Sequence, residues 1–249
     1  LIHTEMTRRR ALTVAAGVTG AVSLASTGLL ATPAAAAPQP LRDDKLKAAI
    51  QRAQARSRRL LTGRHSANRW EMQTAADDGG DIVTRRVPGT GLDVALHLGD
   101  TETVLVHVIR RFHYEVDQLG LHGEPDALAG WVPPSDVRDS GLPESNRASG
   151  TAIVIRPGSY PPGAHGAFTA AQQVTLADIV ADTEGVVRWG GDDKRPYEGL
   201  FYVAVRPGDA RLARVAAKIR AWNGTPGSGA GAVPDVTSRD RRRKAAAYR

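Results

Sequence analysis

No cysteine occurs anywhere in the 249 residues, and the chain has only 2 Met, 3 Phe and 5 Tyr. Disulfide staples and thiolate-bound metal or redox centres are therefore excluded, and the fold must rest on a core of mostly aliphatic side chains. About 200 residues is ample for such a core. Net charge is also missing from the body of the chain, although the total is +7. Residues 1–36 carry +2, from Arg8, Arg9 and Arg10 against Glu5, and residues 239–249 carry +5. These two ends account for the whole excess, so residues 37–238 are neutral and a basic groove for specific nucleic-acid binding is not indicated. Neither a serine nucleophile elbow nor a complete dinucleotide-binding glycine loop is present; Gly89-Thr90-Gly91 lacks the third glycine.

What is present at the N-terminus has the order of an export signal. Arg8-Arg9-Arg10 precede an uncharged Ala/Val/Gly/Leu run to about Leu30, and then comes the small-residue stretch Pro33-Ala34-Ala35-Ala36-Ala37. A positive segment, an apolar segment and a small-residue cleavage site define a secretory signal, and adjacent arginines before the apolar run resemble the twin-arginine motif. The expectation is a signal over 1–36, a start at Met6, and a secreted or wall-associated mature chain without a transmembrane span after cleavage. The competing reading is a retained membrane anchor.

Downstream, Leu46, Ala49, Ile50, Ala53, Leu60 and Leu61 recur at helical spacing, which predicts an amphipathic helix over 43–61. Strands are expected over 81–87, 92–98 and 103–109, separated by Pro88-Gly89-Thr90-Gly91 and Gly99-Asp100. Residues 123–146 are rich in Pro, Gly, Asp and Ser and are expected to form a long exposed connection, a candidate interaction loop. A strand over 150–155, a helix over 169–182 capped by Thr169 with Val174, Ile179 and Val180 on its apolar side, paired strands over 186–189 and 200–205, and a helix over 210–222 follow. The organisation expected is a helix-and-strand region over 37–99, a principal domain over 100–222 and a disordered basic tail over 223–249. The class is α+β, a small antiparallel sheet with flanking helices.

Two segments carry a resemblance. Ser145-Asn146-Arg147-Ala148-Ser149-Gly150-Thr151-Ala152-Ile153-Val154 follows the pattern S-x-H-x-x-G-x-A-x-D at Ser145, Gly150 and Ala152. Arg188-Trp189-Gly190-Gly191-Asp192 matches the turn that precedes an E-x-x-H or D-x-x-H strand, and Glu198-Gly199-Leu200-Phe201 lies where that strand is expected. This resembles the zinc D-Ala-D-Ala carboxypeptidase family, with its hedgehog/DD-peptidase fold, over about residues 100–222. The resemblance implies a cell-wall peptidase scaffold with Glu198 at the general-base position. It equally implies that the three zinc-ligand positions are occupied by Arg147, Val154 and Phe201. Valine and phenylalanine offer no lone pair and arginine is a permanent cation, so no metal or other cofactor is expected there. Without zinc no bound water is activated and Glu198 is vestigial.

The function expected is therefore a secreted, catalytically inactive DD-peptidase-like protein that binds a peptidoglycan stem peptide. Arg111, Arg147 and Ser145 are the candidate substrate-binding residues, since a guanidinium fork suits a peptide carboxylate. A pairing of Arg147 with Glu198 across the vacated metal position is a second expectation. The alternative is an active zinc-dependent peptidoglycan peptidase with an unconventional metal site. His65, His97, His107, His113, His122 and His165 form no metal-binding spacing, and His107 is expected in a strand. The basic tail is a weak candidate for anionic wall polymers.

Overall fold

The computed structural model describes residues 43–121 and 124–248; the expected export signal, nearly all of the entry segment and His122 lie outside the described residues. The chain is a mixed α/β structure with small antiparallel sheets and flanking helices. Helix α1 (Asp43–Leu60) leads into the hairpin β1 (Leu61–His65) and β2 (Glu71–Gln73). A second hairpin, β3 (Ile82–Arg86) and β4 (Asp93–His97), turns at the predicted Pro88–Gly91 signal. Its core face is set by period-two alternation, with Val94 and Leu96 buried and Ala95 between them half-buried.

The stretch expected as a third strand is instead part of helix α2 (Asp100–Glu115). Thr103, Val104, Val106, Val108 and Ile109 are β-branched, which suggested a strand. Their neighbours decide otherwise: Val104, Leu105, Val108, Ile109 and Phe112 recur at helical spacing and are all fully buried. Packing of that stripe overrides local propensity. The helix starts at Gly99, whose φ of 88° needs a glycine, and Asp100 and Glu102 in the first turn complement its dipole. His107 is thus a helix residue, buried to 2 % exposure.

The principal sheet has four antiparallel strands in the order β5-β6-β8-β7: β5 (Leu128–Ala129), β6 (Ala152–Ile155), β7 (Val187–Trp189) and β8 (Leu200–Val203). Alternation splits it into two faces. Ile153, Ile155, Phe201, Val203, Val187 and Trp189 belong to the large core, together with the apolar stripes of α2, α3 (Ala170–Asp182) and α4 (Ala210–Asn223). Ala152, Val154, Leu200 and Tyr202 form a smaller cluster on the other face, joined by Tyr197. Burying Leu212, Val215 and Ile219 of α4 against the first face contributes on the order of 1.5–3 kcal/mol for each side chain. Both sides of the expected boundary at residue 99 feed this one core, since Val87, Val94 and Leu96 pack with the α2 residues.

Helix α3 begins as predicted, with a reciprocal capping box between Thr169 and Gln172. Val174, expected on its apolar side, is instead 42 % exposed, and Leu176, Ile179 and Val180 face the core. The long connection over 123–146 carries β5 and two short 3-10 turns, Pro134–Asp136 and Pro143–Ser149. The tail expected as disordered carries helix α5 (Arg239–Ala247), which packs along α3.

Candidate functional site

The smaller-cluster face of the sheet borders a cleft of about 320 Å³. Leu200 lines it from the sheet, Leu142, Pro143 and Glu144 from the 3-10 segment, Pro162 and Gly163 from the loop after β6, and residues 193–197 from the β7–β8 connection. That connection is shaped by the Trp189-Gly190-Gly191 turn. The Trp189 indole nitrogen donates to the Glu198 carbonyl at 2.7 Å, and Tyr197 donates its backbone N–H to the Gly190 carbonyl at 2.9 Å. A side chain on Gly190 would strike the Tyr197 carbonyl at 2.6 Å, and one on Gly191 would enter the Trp189 ring at 2.3 Å. The glycines are there for close approach, so this motif is a device for placing Tyr197 and Leu200.

The resemblance placed Ser145 among substrate-binding residues, and its position is a structural one. Ser145 is 1 % exposed; its hydroxyl donates to the Ser140 carbonyl and accepts from the Ala67 N–H, both at 3.0 Å. It belongs to a buried polar network, which sequence reading missed, with Asn146 holding the Asn68 N–H, Asn68 donating to Thr151, and Ser66 meeting Ser149. Gly150 closes that segment with φ 67°, and a Cβ there would lie 2.6 Å from the His97 nitrogen. Both matched positions therefore tie the 3-10 segment to the β1–β2 hairpin and to β4.

Glu198 and Arg147 do not pair. Both carboxylate oxygens of Glu198 accept backbone N–H groups, from Gly166 at 2.8 Å and Ala167 at 2.9 Å, which pins the loop entering α3. Arg147 donates its Nε to the Gly130 carbonyl at 2.8 Å. It is half-buried beside Tyr197 and Asp136, and forms no ion pair with a carboxylate among the described residues. Burial draws its pKa below the ordinary arginine value, against the opposing influence of Tyr197 and Asp136, yet a guanidinium stays a cation. Burial likewise raises the Tyr197 pKa, with Arg147 lowering it and Glu144 raising it further. Tyr197, at the cleft, thus senses both Arg147 and Glu144.

Val154 and Phe201, assigned as companion ligand positions, lie on opposite faces of the sheet. Phe201 is fully buried and stacks edge-on against Phe112 of α2. The strand register places Leu200, not Phe201, directly opposite Val154. The side chain that the register sets against Val154 is accordingly Leu200, and neither carries a lone pair; Leu200 and Tyr197 line the cleft, while Val154 is fully buried behind it. These residues do not fit a catalytic zinc, which needs about three donor ligands and an open position. Among the described residues no group of three or more His, Asp or Glu side chains is placed to hold a metal ion. Leu200 and Tyr197 were legible only through the register, since alternation alone does not say which residue opposes Val154.

Arg111, the other expected carboxylate binder, lies far from that role. It is 1 % exposed in α2 and fully engaged: both Glu115 oxygens, Asp182 at 2.7 Å and Asp178 at 2.9 Å accept from it. Burial works against its charge, and the three carboxylates outweigh that and hold it protonated. The Asp182 carboxyl is held well below its ordinary range, burial notwithstanding, by His107, Arg111 and Lys244. His107 approaches Asp182 to 3.8 Å, too far for a hydrogen bond, and neither ring nitrogen has a hydrogen-bond partner. Burial pushes the His107 pKa down. His113 has a simpler role, its Nδ1 accepting the Leu119 N–H at 3.0 Å.

No family model matches the chain, and no curated protein or solved structure is found to be similar to it.

Proposed function

We propose that this chain is an exported binding protein built on a DD-peptidase-like arrangement, which takes a short peptide by its terminal carboxylate in the cleft beside Arg147. The observation that carries this reading is the half-buried Arg147 guanidinium with no carboxylate partner among the described residues, set beside Tyr197. A partly desolvated cation with no directly ion-paired carboxylate, Asp136 acting on it only from beyond ion-pair distance, can receive an anion, and the guanidinium fork presents parallel donors to a carboxylate. Tyr197 supplies a phenolic donor and an aromatic wall, and Leu142, Pro143, Pro162 and Leu200 supply apolar lining for small side chains. The resemblance of the two motifs suggests a peptidoglycan stem peptide, and the order of the first 37 residues suggests where it would be met. Catalysis is not part of the reading, because Val154, Leu200 and Tyr197 supply no metal ligand set and Glu198 is spent on backbone N–H groups.

Calorimetric titration with an acyl-L-Lys-D-Ala-D-Ala tripeptide and with its C-terminal amide tests it. Binding of the free acid, loss of about tenfold or more on amidation, and a similar loss in Arg147→Met are expected for one charge-assisted contact. Chelator-sensitive release of D-alanine, or equal binding of acid and amide, would overturn the reading.

A further inference from the structure

Helix α5 is attached to the body through charge rather than through a buried apolar stripe. None of its residues is buried, and the one large apolar side chain beside it, Tyr248 at its C-terminal end, is 40 % exposed. Its polar attachment runs through two cations three residues apart. Arg241 donates to both Asp178 oxygens at 2.7 and 2.6 Å and reaches Asp182 at 3.3 Å, and Lys244 donates to Asp182 at 3.0 Å. Asp178 and Asp182 are themselves one helical turn apart on α3, so a cation pair at i, i+3 meets an acid pair at i, i+4. The connection from α4 contains Gly224, Gly227, Gly229, Gly231, Pro226 and Pro234.

We propose that the Asp178/Asp182 pair is a docking site for a basic helical segment, which α5 fills in cis as a displaceable plug. Behind the pair lie Arg111 and Glu115, so three carboxylates face three cations, and α5 supplies two of the three. Lifting α5 away leaves two uncompensated negative charges on an accessible helix face, a potential that selects a polycation. His107 points the same way. It is 2 % exposed, has unused hydrogen-bonding capacity on both nitrogens, and its Nε2 faces Asp182 Oδ2 at 3.8 Å. The remaining neighbours are Lys218, which donates to the Asp182 carbonyl at 2.8 Å, and the Trp222 ring beside His107. The partner that fits is a short basic helix with two cations on one face and small residues around them, as α5 has in Ala245, Ala246 and Ala247.

The test uses the full chain and a fluorescein-labelled peptide of residues 235–248, followed by anisotropy. A chain carrying Arg241→Ala and Lys244→Ala alters only half-exposed positions, and circular dichroism checks that it folds. In cis, α5 competes at an effective concentration in about the millimolar range, so the peptide is expected to bind this variant about tenfold or more tighter than the unaltered chain. Raising salt from about 50 to about 300 mM should weaken the complex several-fold. A peptide with Arg241→Glu and Lys244→Glu should not bind, which tests the acidic acceptor without touching the buried carboxylates. Failure of the folded variant to bind the peptide would overturn the proposal, as would equal binding to the unaltered chain or equal binding of the charge-reversed peptide.

Discussion

Arg111 and Arg147 are both arginines removed from bulk water, and the surroundings of each give it a different task. Arg111 sits on the helix-covered side of the sheet with every donor group engaged by Glu115, Asp178 or Asp182. Arg147, half-buried beside Tyr197, donates to one carbonyl and forms no ion pair with a carboxylate among the described residues, Asp136 lying beyond that distance. A buried guanidinium whose charge is fully matched is part of the frame, since removing it strands its partners. One whose charge is unmatched has capacity left for a ligand. The residue type is the same; the count of facing carboxylates assigns the role.

The largest expected effect breaks that comparison at the frame. Arg111→Met leaves Asp178, Asp182 and Glu115 facing one another, with the half-exposed Arg241 and Lys244 as their remaining ion-paired cations. A loss of about 3–5 kcal/mol is expected, the usual cost of orphaning one side of a buried ion pair, and comparable to a large part of total stability. Urea unfolding measures it. A loss below about 1 kcal/mol would show that Arg111 is as dispensable as a surface ion pair.

The next effect sharpens the comparison at the sheet. Because Leu200 opposes Val154 and Phe201 does not, a histidine introduced at the two positions has different consequences. Phe201→His buries an imidazole among Phe112 and Ile153 and should cost about 3 kcal/mol or more. Leu200→His, combined with Arg147→His and Val154→Asp, supplies three donor side chains, two of them directly opposite one another across β6 and β8. Zinc is expected to raise the melting temperature of that triple variant and not of the one built with Phe201→His. Stabilisation of the second alone would mean that the strand register is displaced by one residue.

Much of this was readable from local pattern. The strands β3, β4, β6 and β8, the helix α4 and the Thr169 cap all reappear where the sequence places them. Three features were not readable, each for a physical reason. Helix α2 is written in β-branched residues and is made helical by burial of one stripe. Helix α5 looks like a solvated basic run, because its acceptors, Asp178 and Asp182, lie about 60 residues away in the chain. The role of Arg111 depends on the same distant acids. At the cleft, the Trp189-Gly190-Gly191 motif was visible as a turn, yet which strand residue it delivers opposite Val154 is a matter of pairing.

Acidity separates the two regions further. Burial depresses the pKa of His107, and of His113, below the ordinary 6.5. The unfolded chain therefore binds protons that the folded chain refuses, and stability should fall as pH drops through about 6.5 towards the folded values. Asp182 acts in a second window: its folded pKa lies below the ordinary 3.8, so its contribution is present above that value and is lost as pH falls further. Denaturation midpoints between about pH 8 and 5 should decline, and His107→Gln should flatten part of the decline while leaving that from His113. An unchanged slope would place the proton uptake elsewhere.

The smallest effect on stability is the one that bears most on function. Arg147→Met removes a partly desolvated cation that is compensated by one carbonyl, and the methionine stem retains much of the apolar contact of the arginine stem. The charge costs free energy to hold there, and no carboxylate among the described residues loses its partner when it goes. Stability should change by no more than about 0.5 kcal/mol, in either direction. Binding of a carboxylate ligand should nevertheless fall by about tenfold or more. A frame residue behaves in the opposite sense, losing stability whether or not ligand is present. If Arg147→Met costs as much stability as Arg111→Met, then an unpaired guanidinium is no mark of a receptor in this fold, and the distinction between the two arginines fails.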